Sequence, residues 1–341
     1  MIKIARIDGD GIGKEVTEAG VHILNSMDLN IDFIEAEAGR ECFDKNGTTI
    51  PEETLKIAKK TKATLFGAST STPGEKSPII TLRQELDVYA NLRPVKSFKG
   101  VNCLFDDLDF LIVRENTEGL YSRAEEGDDE KAIAKRIITK KASERIANLA
   151  FKQAIKRNED RKEGIEGKPL VTCVHKANVL KKTDGLFKKA FYDVAINYPD
   201  INTNNYYVDA TAMYLLTKPQ EFDVIVTTNL FGDILSDCAA GLVGGLGLAP
   251  SGNIGDKHGL FEPVHGSAPD IAGQNISNPI AMTLSIAMML DYLKENYLAN
   301  NLRIATENVL KKGKVLTPDL GGKNKTMDVA NEIIKELELL N

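Results

Sequence analysis

Short apolar runs alternate along this chain with segments of helical spacing, and this alternation restricts the possible folds more than any other feature. Apolar, β-branched runs predict buried strands at 2–7, at 63–68, at the start of 109–121, at the start of 170–178 and at 224–226. Helical patterns lie between them, for example at 14–26, 142–158 and 278–293. Alternating strands and helices are typical of α/β proteins, and polar residues cluster just after the strands, where open α/β sheets bind ligands.

Three further segments have clear local patterns. Residues 51–60 predict a helix, with Pro51 in or near its first turn and glutamates after it. Residues 81–94 also predict a helix, one that stops before Pro94 because proline disfavours the helical conformation of the residue before it. The charged, glycine-broken stretch 161–168 predicts an exposed loop.

Composition excludes several classes of protein. The chain has 341 residues, enough for about two domains. Its net charge of -6 leaves no basic excess for nucleic-acid phosphates, and no apolar run is long enough to cross a bilayer. The N-terminus starts directly as a strand, without a signal-peptide pattern. The scattered cysteines form no CxxC pair and are expected to be reduced thiols, which favours a cytoplasmic protein.

A glycine-rich turn follows the first predicted strand. GDGIG at 9–13 lies between a strand and a helix, an arrangement that invites comparison with dinucleotide-binding folds. Its glycines are at positions 9, 11 and 13, so the GxGxxG fingerprint is not met. No acidic residue ends a second strand at the expected distance either, and we therefore interpret the segment as a tight turn.

The segment DVIVTTNLFGDILSD at 223–237 holds the first candidate site. An apolar strand runs into polar residues at 227–229, which we expect in a loop, and then into a helix. If Asp233 begins that helix, Asp233 and Asp237 lie one turn apart on one face. Asp209 follows another apolar strand, and three carboxylates at strand ends would hold Mg²⁺ or Mn²⁺. An acidic first turn favoured by the helix dipole is the alternative explanation.

Three arginines form the second candidate site. Arg83 and Arg93 lie in LRxxxxxxxxLRP, and Arg114 ends the predicted strand FLIV. An arginine at the end of a buried strand needs an anionic partner, and guanidinium groups match carboxylates. Together the three predict a substrate with more than one carboxylate. Structural salt bridges are the alternative for each arginine taken singly.

A lysine and a tyrosine are candidates for proton transfer. Lys176 follows the predicted strand VTCVH, and Tyr121 comes seven residues after Arg114. Beside a metal ion and arginines, an amine and a phenol are suited to general acid–base catalysis. Taken alone, either one is an ordinary surface residue.

The loop EPVHGSAPD at 262–270 is a candidate cofactor segment. Its polar residues, glycine and proline suit a loop that wraps an adenosine. His265 would stack on the base, and Asp270 would accept hydrogen bonds from the ribose hydroxyls. A carboxylate at that position repels a 2′-phosphate, so the loop favours NAD over NADP.

Motifs along nearly the whole chain resemble those of the β-decarboxylating dehydrogenases, which include isocitrate, 3-isopropylmalate and homoisocitrate dehydrogenases. They are DGDGIG, LRPV, VRENTEGLY, HKANVL, NLFGDILSD, GGLGLAPSGNIG and FEPVHGSAPDIAG. The resemblance implies an α/β fold, the isopropylmalate/isocitrate dehydrogenase-like fold rather than the Rossmann fold, with two α/β domains and an intervening cleft. A large cofactor-binding domain is implied at 1–98 and 251–341, and a small domain with the dimer interface at 99–250.

The resemblance also implies roles for individual residues. Substrate carboxylates would be held by Arg83, Arg93 and Arg114. Lys176, from the other subunit, would assist deprotonation of the substrate hydroxyl, and Tyr121 would protonate the enol after carbon dioxide leaves. Mg²⁺ or Mn²⁺ would be held by Asp233, Asp237 and, from the other subunit, Asp209. NAD would be bound by Thr70, Asn178, Glu262, His265, Gly266, Ser267, Ala268, Pro269, Asp270 and Asn278.

The substrate implied by the pattern is homoisocitrate, converted to 2-oxoadipate and carbon dioxide. The SPI pattern before Arg83 and the segment DCAAGLVGGLGLAPSGNIGD look most like homoisocitrate dehydrogenases, and the GPKWD-like loop of the usual bacterial isopropylmalate enzymes is absent. Isocitrate enzymes usually have an asparagine four residues before this arginine, where the chain has Ile79. Ser71 and Ser77 are candidates for binding the distal group of the substrate. Archaeal isopropylmalate enzymes share VRENTEGLY and HKANVLKxTDGLF, so 3-isopropylmalate and isocitrate remain alternatives.

The last expectations concern the oligomeric state of the protein and the alternative classes of function. We expect a homodimer or a dimer of dimers with shared active sites, acting on a small polycarboxylate. A metal-dependent phosphohydrolase that uses the aspartates is the alternative from another class. A non-catalytic regulatory subunit is a third possibility, and the presence of the arginines, the aspartates, Tyr121 and Lys176 argues against it.

Overall fold

The computed structural model describes residues 1–160 and 169–340, so the predicted loop at 161–168 lies outside the described residues. The chain forms two compact units. Unit 1 consists of Met1–Val88, Ser97–Asp106 and Ala240–Asn341, and unit 2 consists of Tyr89–Lys96 and Asp107–Ala239. The predicted domain boundaries remain a prediction, because a compact unit is not by itself a domain.

Strands and helices alternate through most of the described chain, as predicted. The strands are β1 (Ile2–Gly9), β2 (Ile31–Glu35), β3 (Ala63–Ala68), β4 (Ala90–Lys96), β5 (Asp109–Glu115), β6 (Glu125–Gly127), β7 (Ala132–Ala134), β8 (Leu170–His175), β9 (Asn202–Tyr207), β10 (Val224–Thr227), β11 (Pro250–Ile254) and β12 (Gly259–Pro263). The helices are α1 (Ile12–Asn25), α2 (Arg40–Asn46), α3 (Glu52–Lys60), α4 (Pro78–Glu85), α5 (Lys140–Asp160), α6 (Thr183–Ala195), α7 (Val208–Thr217), α8 (Asn229–Leu242), α9 (Ile280–Tyr292), α10 (Asn296–Lys312) and α11 (Thr326–Glu338).

Unit 1 is built on a mixed sheet with the strand order β2-β1-β3-β12-β11. β1 pairs in parallel with β2 and β3, and β12 pairs in parallel with β3 and antiparallel with β11. Because β1, β3 and β12 run in one direction, their carboxyl ends lie at one edge of the sheet. The residues that follow them, Asp10, Thr70 and His265, are brought to that edge.

Unit 2 has a second set of strands in the order β4-β5-β10-β8-β9. β10 pairs in parallel with β5 and β8, β8 pairs in parallel with β9, and β4 is antiparallel to β5. The carboxyl ends of the parallel strands carry Arg114, Lys176, Asp209 and Asn229. The polar residues that the sequence analysis found after apolar runs therefore share one edge of this sheet.

Helices pack against the strands of each unit, and β3 is buried along its whole length. In unit 1, α9 packs on β11 and β12, while α1 packs on β3 and α11. Almost every residue of α9 is buried, as expected for a helix that is apolar on all sides. In unit 2, α5 packs on β5, β10 and α6.

The predicted helix at 81–94 is wrong over its second half. The helix α4 ends at Glu85, Asp87 has the positive φ of 46°, and the chain then continues as β4 through Pro94. Pro94 is opposite Leu111 in the antiparallel pairing with β5. Pro94 was interpreted as the residue that ends a helix. In the structure it belongs to a strand, because pairing with the buried strand β5 overrides the local helix propensity.

No helix within the described residues is both long enough and apolar enough to span a bilayer.

Candidate active site

Helix α8 presents both aspartates of the NLFGDILSD segment. The predicted polar loop extends only to Thr228, because α8 begins at Asn229 and not at Asp233. The Thr228 carbonyl accepts a hydrogen bond from the Gly232 N–H at 2.9 Å, which starts the helical ladder. Asp233 therefore lies in the second turn, and Asp237 follows one turn later on the same face, as the spacing predicted.

Arg114 is buried against the start of α8. Its guanidinium pairs with the Asp233 carboxylate and donates from Nη2 to the Asn229 side-chain oxygen at 2.8 Å. Its Nε donates to the Asn229 carbonyl at 2.9 Å. Arg114 is only 1% exposed, so these partners are what make its burial tolerable.

Arg93, on β4, binds the next part of the same helix face. Its Nη1 donates to Ser236 Oγ at 2.5 Å and to Asp237 Oδ1 at 3.2 Å, and it lies 3.3 Å from Asp233 Oδ1. Asn91 accepts a further hydrogen bond from its Nε at 2.6 Å. Burial raises the pKa of Asp237, and the charge of Arg93 opposes that rise. The structure thus brings two of the predicted arginines and two of the predicted aspartates into one charge cluster.

Tyr121 completes this cluster. Its hydroxyl donates to the second Asp233 oxygen, and the Arg114 guanidinium carbon lies 5.1 Å from its ring centroid. Burial, together with the hydrogen bond to Asp233, raises the pKa of Tyr121 above its ordinary value. The phenol is therefore protonated at neutral pH, as a proton donor must be.

Lys176 and Asp209 form a separate group. The Lys176 ammonium, just after β8, pairs with the Asp209 carboxylate in the first turn of α7. That hydrogen bond lowers the pKa of Asp209. Asp209 is largely exposed, with 65% of its side chain accessible.

The three predicted metal ligands do not meet within one chain. Across residues 1–160 and 169–340, no three histidine, cysteine, aspartate or glutamate side chains gather as a possible metal-binding group. Asp233 and Asp237 fit two oxygen ligands of a hard cation, since both project from one helix face. The resemblance assigns Asp209 to the other subunit, and that assignment stays a prediction.

In unit 1, the GDGIG turn supports the segments that carry the predicted cofactor residues. Buried Asp10 accepts backbone hydrogen bonds from Thr70 at 2.7 Å, from Arg40 at 2.8 Å and from Glu41 at 2.9 Å. Gly11 has a φ of 58°, and a Cβ there would lie 2.1 Å from the Ser267 carbonyl oxygen. The interpretation of this segment as a tight turn is correct, and its function is to hold the neighbouring loops in place.

The predicted cofactor residues near this turn contact one another. Thr70 Oγ1 and Ser267 Oγ are hydrogen-bonded at 2.7 Å, and the Ser267 carbonyl accepts from the Ile12 N–H at 2.9 Å. His265 Nε2 is buried and has no hydrogen-bond partner within the described residues. Burial also lowers the pKa of His265, which keeps the ring neutral. Asp270 is exposed.

Arg83 and Glu262 form a buried ion pair in unit 1. Arg83 Nη2 donates to Glu262 Oε1 at 2.8 Å, and Asn253 Nδ2 donates to the same oxygen at 2.8 Å. Arg83 Nε is buried without a partner among the described residues. Arg83 therefore forms a structural salt bridge, which was the alternative explanation for each arginine. It also keeps one N–H donor that could bind an anion.

The remaining predicted residues have simpler environments. Asn278 donates to Asp319 Oδ2 at 2.9 Å and accepts from the Ile280 N–H at 3.0 Å. Ser77 is half-buried at the start of α4. Exposed positions are held by Ser71, Asn178, Gly266, Pro269 and Asp270, and Ala268 is half-buried with a φ of 37°.

Some site residues were not predicted from the sequence. Asn229, Ser236 and Asn91 each bind one of the two clustered arginines. Asn229 directly follows a buried strand, and Ser236 adjoins Asp237, so both positions carried a usable signal. The signal for Asn91 was hidden, because its segment was interpreted as helix.

Comparison with known proteins identifies the family. A sequence model described as isocitrate/isopropylmalate dehydrogenase matches residues 3–335. The chain belongs to this family. Its fold and its class, a β-decarboxylating dehydrogenase, are thereby confirmed, and the phosphohydrolase alternative is set aside.

Relatives within the isocitrate/isopropylmalate dehydrogenase family match end to end. A 3-isopropylmalate dehydrogenase of Methanothermobacter thermautotrophicus is 58% identical over 337 residues, covering 99% of each chain. A homoisocitrate dehydrogenase of Methanocaldococcus jannaschii is 50% identical over 350 residues, covering 98% of this chain and 97% of that one. The crystal structure of isocitrate dehydrogenase from Methylococcus capsulatus superposes with a TM-score of 0.92 at 42% identity, covering 99% of each chain.

Gly232, in the LFGD motif of this dehydrogenase, leaves space for the side chain of Arg114. A Cβ on Gly232 would lie 2.5 Å from Arg114 Cγ and 2.7 Å from Arg114 Cβ. We expect Gly232→Ala to displace Arg114 and to reduce dehydrogenase kcat/KM by about 100-fold, since small misplacements at a reacting centre have effects of that order. Steady-state kinetics and a thermal unfolding curve would measure this.

Gly241 is the matched control on the same helix. A Cβ there meets nothing within 4 Å, so Gly241→Ala should leave kcat/KM unchanged and raise the free energy of unfolding by about 0.5–1 kcal/mol. Wild-type kinetics in Gly232→Ala would contradict the close packing of Arg114 on α8.

Proposed function

We propose that this chain catalyses the NAD-dependent oxidative decarboxylation of 3-isopropylmalate. The sequence pattern favoured homoisocitrate, with 3-isopropylmalate as the alternative. Among the relatives reported above, the isopropylmalate enzyme is more similar to this chain than the homoisocitrate enzyme is, with 58% against 50% sequence identity. We therefore favour the alternative, and one structural observation supports it.

That observation is the apolar character of α4 one turn before Arg83. Ile79 and Ile80 lie four and three residues before Arg83, so they share its side of the helix, and both are half-buried. An isopropyl group gains free energy by contact with such side chains, whereas a carboxylate there would lose hydration without a partner. This favours isopropylmalate over the two acids that carry a third carboxylate.

Homoisocitrate remains the second candidate because hydroxyls lie close by in the sequence. Ser77 is half-buried at the start of α4 and Ser71 is exposed in the preceding loop. Either hydroxyl is suited to donate a hydrogen bond to a distal carboxylate.

The charge cluster of unit 2 suits a hydroxy acid with a β-carboxylate. Arg93 and Arg114 supply forked donors for substrate carboxylates, and Arg83 supplies the unused Nε of the third predicted arginine. Tyr121, protonated and held by Asp233, donates a proton to the enol carbon left after carbon dioxide departs. Lys176 of a second copy of the chain, paired with the Asp209 of that copy, assists deprotonation of the substrate hydroxyl.

Asp233 and Asp237 are the proposed ligands of Mg²⁺ or Mn²⁺, with Asp209 supplied by a second copy of the chain. Their hard carboxylate oxygens and their common helix face fit such an ion. When bound, the ion supplies a Lewis acid for the oxygen that changes from hydroxyl to ketone to enolate. The arginines beside these aspartates limit the repulsion between the two carboxylates.

NAD is the proposed hydride acceptor, bound by the residues predicted from the sequence. Neutral, half-buried His265 has an unpartnered Nε2 that fits an adenine edge, and exposed Asp270 fits ribose hydroxyls. Thr70, Ser267 and Asn278 are held in fixed positions by hydrogen bonds. A carboxylate at position 270 disfavours the 2′-phosphate of NADP.

A homodimer is the proposed smallest active assembly, and a cytoplasmic location remains a prediction. Large apolar side chains are exposed on α7 and α8, where Met213, Leu216 and Ile234 are 52%, 56% and 59% accessible. The two-stranded sheet of β6 and β7 adds exposed Ile133 and has free edges within the described residues. Exposed large apolar side chains of this kind are typical of interfaces.

Parallel initial-rate assays with the three acids and NAD test the proposed function. We expect kcat/KM for 3-isopropylmalate to exceed that for homoisocitrate and isocitrate by about 10-fold or more, because burying an unpaired carboxylate is costly. Ile80→Ser should narrow this ratio. A higher kcat/KM for homoisocitrate would reverse our choice, and absence of NADH formation with all three acids would refute the proposed function.

A further inference from the structure

A second buried ion pair in unit 2 joins the elements that carry the candidate catalytic groups. Asp184, in the first turn of α6, is completely buried, and its carboxylate pairs with the guanidinium of Arg136. Arg136 follows the β6–β7 hairpin and is 12% exposed. Neither residue belongs to the charge cluster around Asp233 described above.

The Asp184 carboxylate holds the main chain of Lys176. One of its oxygens accepts from the Arg136 guanidinium and the other accepts from the Lys176 backbone N–H at 2.6 Å. Charge-assisted hydrogen bonds of this kind are about twice as strong as neutral ones. The position from which the Lys176 side chain starts is therefore set by Asp184.

The other end of the Arg136 guanidinium reaches the start of α8. Nη2 donates to Thr228 Oγ1 at 2.8 Å, and the guanidinium carbon lies 4.9 Å from the Phe231 ring centroid. Thr228 is the residue whose carbonyl begins the helical ladder of α8. Arg136 thus contacts the first turn of the helix that presents Asp233.

The backbone next to Arg136 is tied to the turn of Tyr121. Ile137 forms an isolated bridge with Gly119, whose N–H donates to the Ile137 carbonyl at 2.8 Å. Gly119 directly precedes the 3-10 turn Leu120–Ser122. One short segment therefore meets the three elements that position Lys176, Asp233 and Tyr121.

We propose that Arg136 and Asp184 form a positioning pair for the decarboxylation site. Because Lys176 is proposed to act in the site of the other subunit, the pair fixes the Lys176 backbone for that site and supports the start of α8, which presents Asp233, for the site of its own chain. This inference rests on the proposed function, because it assigns catalytic meaning to Lys176 and Asp233. Neither member of the pair contacts substrate in this role.

Replacing Arg136 tests the pair. We expect Arg136→Met to lower kcat for 3-isopropylmalate by about 30- to 100-fold, since loss of fixed geometry has effects of that order. KM for NAD should stay within about twofold, because His265, Ser267 and Asp270, which are proposed to bind the adenosine half, lie in unit 1 whereas the pair lies in unit 2. Arg136→Lys keeps the charge but not the forked geometry, and it should recover only part of kcat.

A double variant separates positioning from folding. Arg136→Met leaves Asp184 buried without its partner and is expected to lower the melting temperature. Arg136→Met with Asp184→Leu removes both charges and should regain most of the lost melting temperature, while kcat stays low. Arg157→Met is the control, since the Arg157 side chain is 17% accessible, close to the 12% of Arg136, and pairs with Asp109 and Asp223 at the amino ends of β5 and β10. It should lower the melting temperature and leave kcat unchanged.

The outcomes distinguish this inference from the proposed function. A double variant with both wild-type melting temperature and wild-type kcat would overturn the positioning pair while leaving the function intact. Equal losses of kcat in Arg157→Met and Arg136→Met would also overturn it, because the effect would then be general. Wild-type protein that forms no NADH with any of the three acids would overturn both proposals together.

Discussion

A mixture of Asp233→Asn and Asp209→Asn proteins is expected to be active although each variant alone is not. Each single change removes one charged metal ligand, and we expect it to lower kcat by about 100-fold or more. If each site takes Asp233 from one chain and Asp209 from the other, a mixed dimer contains one intact site and one doubly altered site. Random reassociation makes half of the dimers mixed, so about one quarter of wild-type activity should return.

The experiment needs subunit exchange and a matched control. The two variants would be unfolded together in denaturant, refolded, and assayed for NADH formation with Mg²⁺. Asp233→Asn mixed with Asp237→Asn is the control, because both residues lie on α8 of the same chain and no mixed dimer regains an intact site. If the mixture of Asp233→Asn and Asp209→Asn proteins stays as inactive as each single variant, the prediction of a site shared between subunits is wrong. Full activity of Asp209→Asn alone would remove Asp209 from the ligand set.

Reversing the charge at position 270 should change the cofactor preference. Asp270 is exposed in the loop that carries Ser267, and we propose that its carboxylate binds the ribose hydroxyls of NAD. Asp270→Lys replaces two acceptor oxygens with a cation that attracts a 2′-phosphate. We expect kcat/KM for NAD to fall by about 100-fold and kcat/KM for NADP to rise, since one charge-assisted contact has effects of about that size.

The control for this charge reversal lies elsewhere in unit 1. Glu53→Lys, on the exposed face of α3, makes the same change in net charge and should leave both cofactor constants unaltered. Comparing kcat/KM for NAD and NADP in the two variants isolates the local effect. An Asp270→Lys protein that keeps wild-type NAD kinetics would show that another residue faces the ribose.

Local patterns were reliable where one element alone decides the geometry. Asp233 and Asp237 share a face because four residues make about one helical turn, whatever surrounds the helix. The GDGIG segment was correctly interpreted as a tight turn, since Gly11 has a positive φ and lies close to the Ser267 carbonyl. The expectation that no acidic residue ends a second strand was wrong, because β2 ends at Glu35. The family resemblance was likewise carried by short motifs, and the comparison confirmed it.

Local patterns failed where tertiary pairing competes with propensity. The helix predicted at 81–94 ends at Glu85, and its last five residues, 90–94, belong to β4 because they pair with β5. The polar loop predicted at 227–229 gives way to helix at Asn229, whose side chain binds Arg114. Neither partner is near in sequence, so no window of local pattern contains the competing interaction.

What the sequence determined by itself was the class of chemistry. Residue type and spacing alone place two carboxylates one helical turn apart and arginines after apolar strands, and such charged side chains need partners of opposite charge when they are buried. Only the tertiary structure decided which charges meet. Arg114 meets Asp233 across 119 positions, Arg83 meets Glu262 across 179, and Arg136 meets Asp184 across 48. The physical reason is that a buried guanidinium must find its anion wherever the parallel strands deliver one, and strand order is a property of the sheet and not of any segment.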